Sequence, residues 1–175
     1  MKRPEATEYA EYYGKYISKV PGVDVLSVLE SQRAQMLKLV SGRTERDGNF
    51  RYAPGKWTVK EVFGHITDTE RIFTYRALRI GRGDQTPLPG FEQDDFVKNG
   101  GFASRTLPDL AEEFDAVRSA SIGLFRSFDE ETWSRRGVAS QKEVTVRALG
   151  FMTAGHQIHH RMILEEHYFP AIPRA

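Results

Sequence analysis

Apolar residues recur along this chain at intervals of three and four, the pattern of helices that bury one face and leave the other wet. The first clear run follows Asp24, an N-cap residue by type. It sets Val25, Val28, Leu29, Met36, Leu39 and Val40 at helical spacing until Gly42 supplies a stop. A second helix is predicted to open at Trp57-Thr58, where Thr58 and Glu61 have the spacing of a capping box. Its stripe of Val59, Val62, Phe63, Ile66, Phe73, Ala77 and Ile80 lasts about six turns and ends near Gly81 or Gly83. Thr106 and Asp109 form another expected box, ahead of a third helix carrying Leu107, Leu110, Phe114, Val117, Leu124, Phe125 and Phe128. Thr145 opens the fourth, whose inward stripe reads Leu149, Met152, Thr153, His156, His160, Ile163, Leu164 and His167 up to Pro170. No strand pattern competes anywhere, so the expected class is all-α.

The segments between these runs are of two kinds. Residues 5 to 20 hold Tyr9, Tyr12, Tyr13 and Tyr16 and are broken off by Pro21-Gly22, which predicts an N-terminal arm over residues 1–22 packed on the body. From Gly81 to Arg105 there are five glycines and two prolines, Pro87 and Pro89. Regular structure is not expected along most of that stretch, and a loop of such length in a compact domain is often functional. One domain over residues 1–175 accommodates everything.

Charge and composition narrow the function classes. Apolar residues at 39% and charged ones at 28% describe a soluble globular chain. Lys plus Arg (25) nearly cancels Asp plus Glu (24), which argues against a nucleic-acid-binding domain. No apolar leader or membrane-length stretch is visible, so a cytoplasmic location without membrane partners is expected. The absence of cysteine rules out a thiolate nucleophile or sulfur ligand from the chain itself and leaves nitrogen and oxygen donors for any metal.

The chemistry is concentrated in the histidines. His156 and His160 are one helical turn apart on the same face, within an apolar stripe where unpartnered imidazoles are costly and one ion would satisfy both. A hydrogen-bonded pair has the same spacing, so the pair alone leaves the choice open. Gln157 stands where a metalloprotease helix places its general-base glutamate, which disfavours that chemistry. His65, at the edge of the second helix's stripe, is either a hydrogen-bonded boundary residue or a third ligand facing the fourth helix. His159 competes with His160 as a partner of His156 but lies further from the centre of the stripe.

Several other residues have two readings. Asp68 and Glu70 are either imidazole partners or solvated helix charges, with at most one expected to point inward. Arg76, Arg79 and Arg82 either attract an anionic thiol or complement the helix dipole. Trp57, Phe91 and Trp133 line a substrate mouth or anchor packing, and Asp94 and Asp95 supply a carboxylate near the metal or stay solvated.

Three stretches together are more specific than any histidine pair: Pro54-Gly55-Lys56-Trp57-Thr58-Val59-Lys60-Glu61-Val62-Phe63-Gly64-His65, then Asp68-Thr69-Glu70-Arg71, then Ala154-Gly155-His156-Gln157-Ile158-His159-His160. With them the chain resembles the DinB-like (DinB/YfiT) four-helix bundle superfamily over most of its length. The resemblance implies an up-down-down-up bundle with a long crossover between helices two and three. It also implies a divalent metal, zinc, nickel or iron, held by His65, His156 and His160. The family includes thiol-dependent transferases and isomerases beside members of unknown activity. The expectation is a metal-dependent transferase or hydrolase acting on a small molecule, with a low-molecular-weight thiol as co-substrate, since the chain has no cysteine. The alternative is a non-enzymatic metal-binding or stress-induced protein, with homodimer formation through a helix face or the tyrosine-rich arm.

Overall fold

A computed structural model describes residues 2–172. Met1 and residues 173–175, the ends of the expected single domain, lie outside the described residues. Eight α-helices and two strands follow in chain order among them: α1 (Gly14–Ile17), α2 (Val25–Val40), α3 (Glu45–Gly48), α4 (Val59–Gly81), α5 (Gln93–Asn99), α6 (Leu107–Arg126), α7 (Glu130–Ser134), β1 (Arg136–Ala139), β2 (Lys142–Thr145) and α8 (Val146–Ile163). The four long helices start where the side chains can cap them. Asp24, Thr58, Thr106 and Thr145 each accept a hydrogen bond from a backbone N–H in the first turn, a contact worth about 1 kcal/mol. Only the Thr58 cap of these four is a reciprocal box with its glutamate. Asp109, expected to reach back to Thr106, instead accepts from Arg105 Nε at 2.5 Å.

Side-chain pairs fix the direction of each helix. Phe63 packs on Phe114 and Glu70 binds Arg118, so α4 and α6 run parallel. Arg33 binds Asp115 and Glu30 binds Arg126, so α2 and α6 run antiparallel. His65 faces both His156 and His160 while the Tyr168 hydroxyl donates to the Trp57 carbonyl, which sets α4 and α8 antiparallel. Two parallel neighbours, α4 and α6, need a long connection, and residues 82–106 supply it.

The structure departs from the sequence expectations in three places. A β-hairpin, Arg136↔Thr145 to Ala139↔Lys142, occupies the polar connector before α8. Its turn residues Ser140 and Gln141 both have positive φ, 52° and 63°, as a two-residue hairpin turn requires, but neither is the Asn or Gly that usually signals one. Within the crossover, Leu88 pairs with this hairpin, its N–H donating to the Val138 carbonyl, and α5 adds two turns of helix. Finally, the chain leaves α8 through a π-type turn at Leu164–Tyr168. The wider turn shifts the register, so Tyr168 is buried and His167, expected inside, is exposed.

The apolar core has two halves, one around Leu29, Phe73, Phe125 and Met152 and the other around Met36, Phe63, Phe114 and Leu164. Polar side chains occupy the level between them: Gln32, Glu70, Arg118, Gln157 and the three histidines. Arg118 is fully buried and donates to both Glu70 oxygens at 2.8 and 2.7 Å, to Gln32 Oε1 at 2.9 Å and to the Leu29 carbonyl at 3.2 Å. Gln32 in turn donates to the Ala154 carbonyl at 2.9 Å, so one network ties all four long helices.

The N-terminal arm packs as expected. Glu8 is buried and accepts from Arg147 and Thr145 at the start of α8. Further along, α1 crosses α8 at Gly155, where an added Cβ would overlap the Tyr16 carbonyl. A Gly155→Ala variant should therefore lose about 1–3 kcal/mol, read as a lower urea midpoint, because backbone rather than a flexible side chain must move. Unchanged stability would mean that α1 is not held against α8.

Candidate metal centre

Antiparallel packing of α4 on α8 brings His65 against His156 and His160. The Nε2 atom of His156 lies 3.1 Å from that of His65 and 3.1 Å from that of His160. Ligand nitrogens about 2.0–2.1 Å from a tetrahedral ion stand roughly 3.3 Å apart, so the spacing is close to that of a filled site. All three side chains are buried, with 3%, 5% and 9% exposure for His65, His156 and His160. The tautomer that leaves the His65 Nε2 lone pair free puts a proton on Nδ1, which faces the Thr69 hydroxyl at 3.5 Å. Trp57 packs against the His65 ring at 4.7 Å and excludes water from that side.

Burial lowers the pKa of each imidazole, to about 4 for His65 and well below the ordinary value for His156 and His160, and positive charge on neighbouring histidines would lower them further. The trio is therefore neutral at neutral pH, the form that donates lone pairs to a metal. The unfolded chain takes up protons below about pH 6.5 while the folded chain resists, so stability is full above that pH and falls as the pH drops through the window between the two values. For the metal-free protein the His65 shift alone should cost about 2 kcal/mol between pH 7 and pH 5. Urea midpoints at the two pH values check this, and equal midpoints would contradict it.

His65 and His156 open onto a cavity of about 260 Å³ lined also by Tyr12, Tyr13 and Tyr16 from the arm, Thr69 and Phe73 from α4, and Phe91 to Asp94 from the crossover, while His160 lies behind them outside its lining. The Tyr16 ring packs on His156 at 5.3 Å, and burial raises the pKa of its phenol, so the hydroxyl keeps its proton.

The chain matches the profile of the DinB superfamily over residues 29–164, which takes in all four long helices and the three histidines. It belongs to the DinB superfamily. No curated protein matches it. Among solved structures it resembles YfiT from Bacillus subtilis, described as a probable metal-dependent hydrolase with an unusual four-helix bundle topology, at 17% identity and a TM-score of 0.72, over 93% of this chain and 89% of that one. It also resembles a mycothiol-dependent maleylpyruvate isomerase at 13% identity and a TM-score of 0.67, over 90% of this chain and 66% of that one. A third is a DinB-like protein of Bacillus subtilis, YjoA, at 19% identity and a TM-score of 0.60, covering 86% of this chain and 95% of that one. At these identities the likeness establishes the shared four-helix-bundle fold.

Within this DinB fold the remaining sequence candidates separate clearly. His159 is left out of the converging set, its ring packing on Tyr16 at 5.3 Å and on His160 at 5.0 Å. Phe91 and Asp94 line the cavity, and Asp95 does not. Trp133 is buried at the other end of the core, stacked on Phe125, and so is no part of a substrate mouth. Neither acid of the Asp68 and Glu70 pair partners an imidazole: Asp68 binds Arg71, and Glu70 is taken by Arg118. Arg76 donates to the Pro89 carbonyl and Ser140 Oγ, Arg79 binds Asp84, and Arg82 lies over Phe128. Gln157 is buried, and its amide has no partner among the described residues. Thr69 and Tyr16 were not singled out as site residues from sequence. Thr69 has a retrospective signal, one helical turn after His65 on the same face.

No helix among the described residues is long and apolar enough to cross a membrane.

Proposed function

We propose that this protein is a metal-dependent enzyme, a hydrolase or transferase, whose ion is held by His65, His156 and His160. Zinc, nickel and iron all suit a site of imidazole nitrogens. The carrying observation is that three neutral imidazoles converge and that two of them, His65 and His156, line a cavity large enough for a small molecule. Three protein ligands are the complement of a catalytic site, where a structural site is closed by a fourth. An ion bound there would acidify a water or thiol and polarise a carbonyl.

The chain's own residues have separable parts. Thr69 holds the His65 tautomer, and the Trp57 ring keeps water from its back. Phe73, Tyr13 and Phe91 line the cavity and limit solvent around a bound substrate. The Tyr16 side chain lines the cavity with its hydroxyl, kept protonated by burial, 3.4 Å from that of Tyr12, and it would donate a hydrogen bond to an oxygen that gains negative charge. A low-molecular-weight thiol as co-substrate is supported by the mycothiol-dependent isomerase that shares the fold, and by a chain that has no cysteine of its own.

The test is turnover of ester, amide and reactive-halide substrates, the last with added thiols, by protein loaded with each of the three metals. Turnover should scale with metal occupancy and fall on chelation. Stoichiometric metal without turnover on any substrate class would return the protein to the non-enzymatic reading.

A further inference from the structure

We propose that the cavity over the histidines selects a substrate carrying a positively charged ammonium group, seated between the aromatic rings of the arm and the carboxylates of Glu92 and Asp94. The inference rests on the metal reading above and names the substrate class of that same site.

One wall of the cavity is a closed circuit of ring contacts. Centroid separations are 5.3 Å for Tyr12 and Tyr13, 6.1 Å for Tyr13 and Phe73, 6.0 Å for Phe73 and His156, 5.3 Å for His156 and Tyr16, and 5.9 Å for Tyr16 and Tyr12. Every one of these pairs is edge-to-face, so ring faces with negative potential are turned in several directions. An organic cation is the ligand that such faces attract beyond simple apolar contact.

The facing wall, from the crossover, adds full negative charge. Glu92 and Asp94 line the cavity, and neither carboxylate accepts a hydrogen bond or joins an ion pair among the described residues. Acids elsewhere on α4, α6 and the crossover are paired instead: Asp84 is held by Arg79, Glu113 by Arg71 and Arg105, and Glu70 by Arg118. Among the described residues no lysine or arginine lines the cavity.

Two cations border the cavity without entering its lining. Arg76 has its guanidinium 5.9 Å from the Phe91 ring, and it donates to the Pro89 carbonyl at 2.8 Å and Ser140 Oγ at 3.0 Å. It thereby ties the crossover to the hairpin and fixes Phe91 to Asp94 over the histidines. Lys15 lies over Tyr12 at 3.8 Å and over Tyr16 at 4.9 Å, so the chain's own ammonium already uses these phenol rings from outside. An anionic substrate would instead meet two carboxylates that no ion pair neutralises among the described residues.

A matched set of thiols on the cobalt-loaded protein tests this without turnover, because the sulfur ligates the metal and the near-ultraviolet absorption reports it. The probes are thiocholine, its neutral isostere in which carbon replaces nitrogen, and mercaptopropionate. Thiocholine should bind about tenfold tighter than the isostere, and mercaptopropionate more weakly than either. The preference should collapse in a Glu92→Gln, Asp94→Asn double variant, which changes only exposed side chains. Equal affinities, a preference for mercaptopropionate, or a preference unchanged in the double variant would overturn the ammonium assignment and leave the metal reading standing. A cobalt spectrum unmoved by every thiol would overturn both.

Discussion

An Arg118→Met variant should lose about 3–5 kcal/mol of folding stability, because it strands the Glu70 carboxylate in the core. Glu70 is 3% exposed, both its oxygens are engaged by Arg118, and no second cation among the described residues binds it. The same change deprives Gln32 Oε1 of its donor and frees the Leu29 carbonyl, so four helices lose their shared fastening at one level. The cost belongs to the abandoned charge more than to the pair itself, since desolvating both ions offsets most of their attraction. A Glu70→Leu, Arg118→Met double variant should therefore regain most of the loss. Urea unfolding of the single and double variants reads both numbers. A single variant within about 1 kcal/mol of the parent would mean that water reaches Glu70 and screens it.

The second large effect comes from the metal. Zinc at about a thousand times its dissociation constant should raise the stability of the protein by about 4 kcal/mol, since only the folded chain brings the three imidazoles together. His156 is the residue to remove, because its Nε2 lies 3.1 Å from each of the other two. In His156→Ala the zinc-induced rise in melting temperature should disappear. A rise of undiminished size would place the stabilising ion elsewhere on the chain.

Much of this architecture is legible in the sequence itself. The starts of the long helices were marked by Asp24, Thr58, Thr106 and Thr145, whose short polar side chains cap better than they propagate. His156 and His160 stand out because polar side chains interrupt an apolar stripe, and His65, a candidate from its place at the edge of the second stripe, is chosen as third ligand by the family motif around it. What stayed hidden has physical reasons. The hairpin after α7 is four residues a side, and its Ser140-Gln141 turn pays the left-handed backbone cost without the usual residues. Glu70 and Arg118 look like ordinary surface charges in one dimension, and only helix direction reveals that each is the other's partner. His167 was placed inward by a regular 3.6-residue count, which the π-type turn at Leu164–Tyr168 interrupts. Thr69 sits one turn after His65, but a hydroxyl beside an imidazole carries no signal until the ring's orientation is known.

The homodimer expected from sequence concerns surfaces that the fold leaves exposed, such as Tyr12, Tyr75 and Phe96, and the histidine trio forms without it. The trio is assembled within one chain, so metal uptake should be independent of protein concentration.

The most direct test of the central claim is metal content per chain after loading and exhaustive desalting, measured on the parent and on single alanine variants of His65, His156, His159 and His160. The parent and His159→Ala should each retain one ion, while the other three variants should retain almost none. Full occupancy in both His156→Ala and His160→Ala would contradict the histidine site.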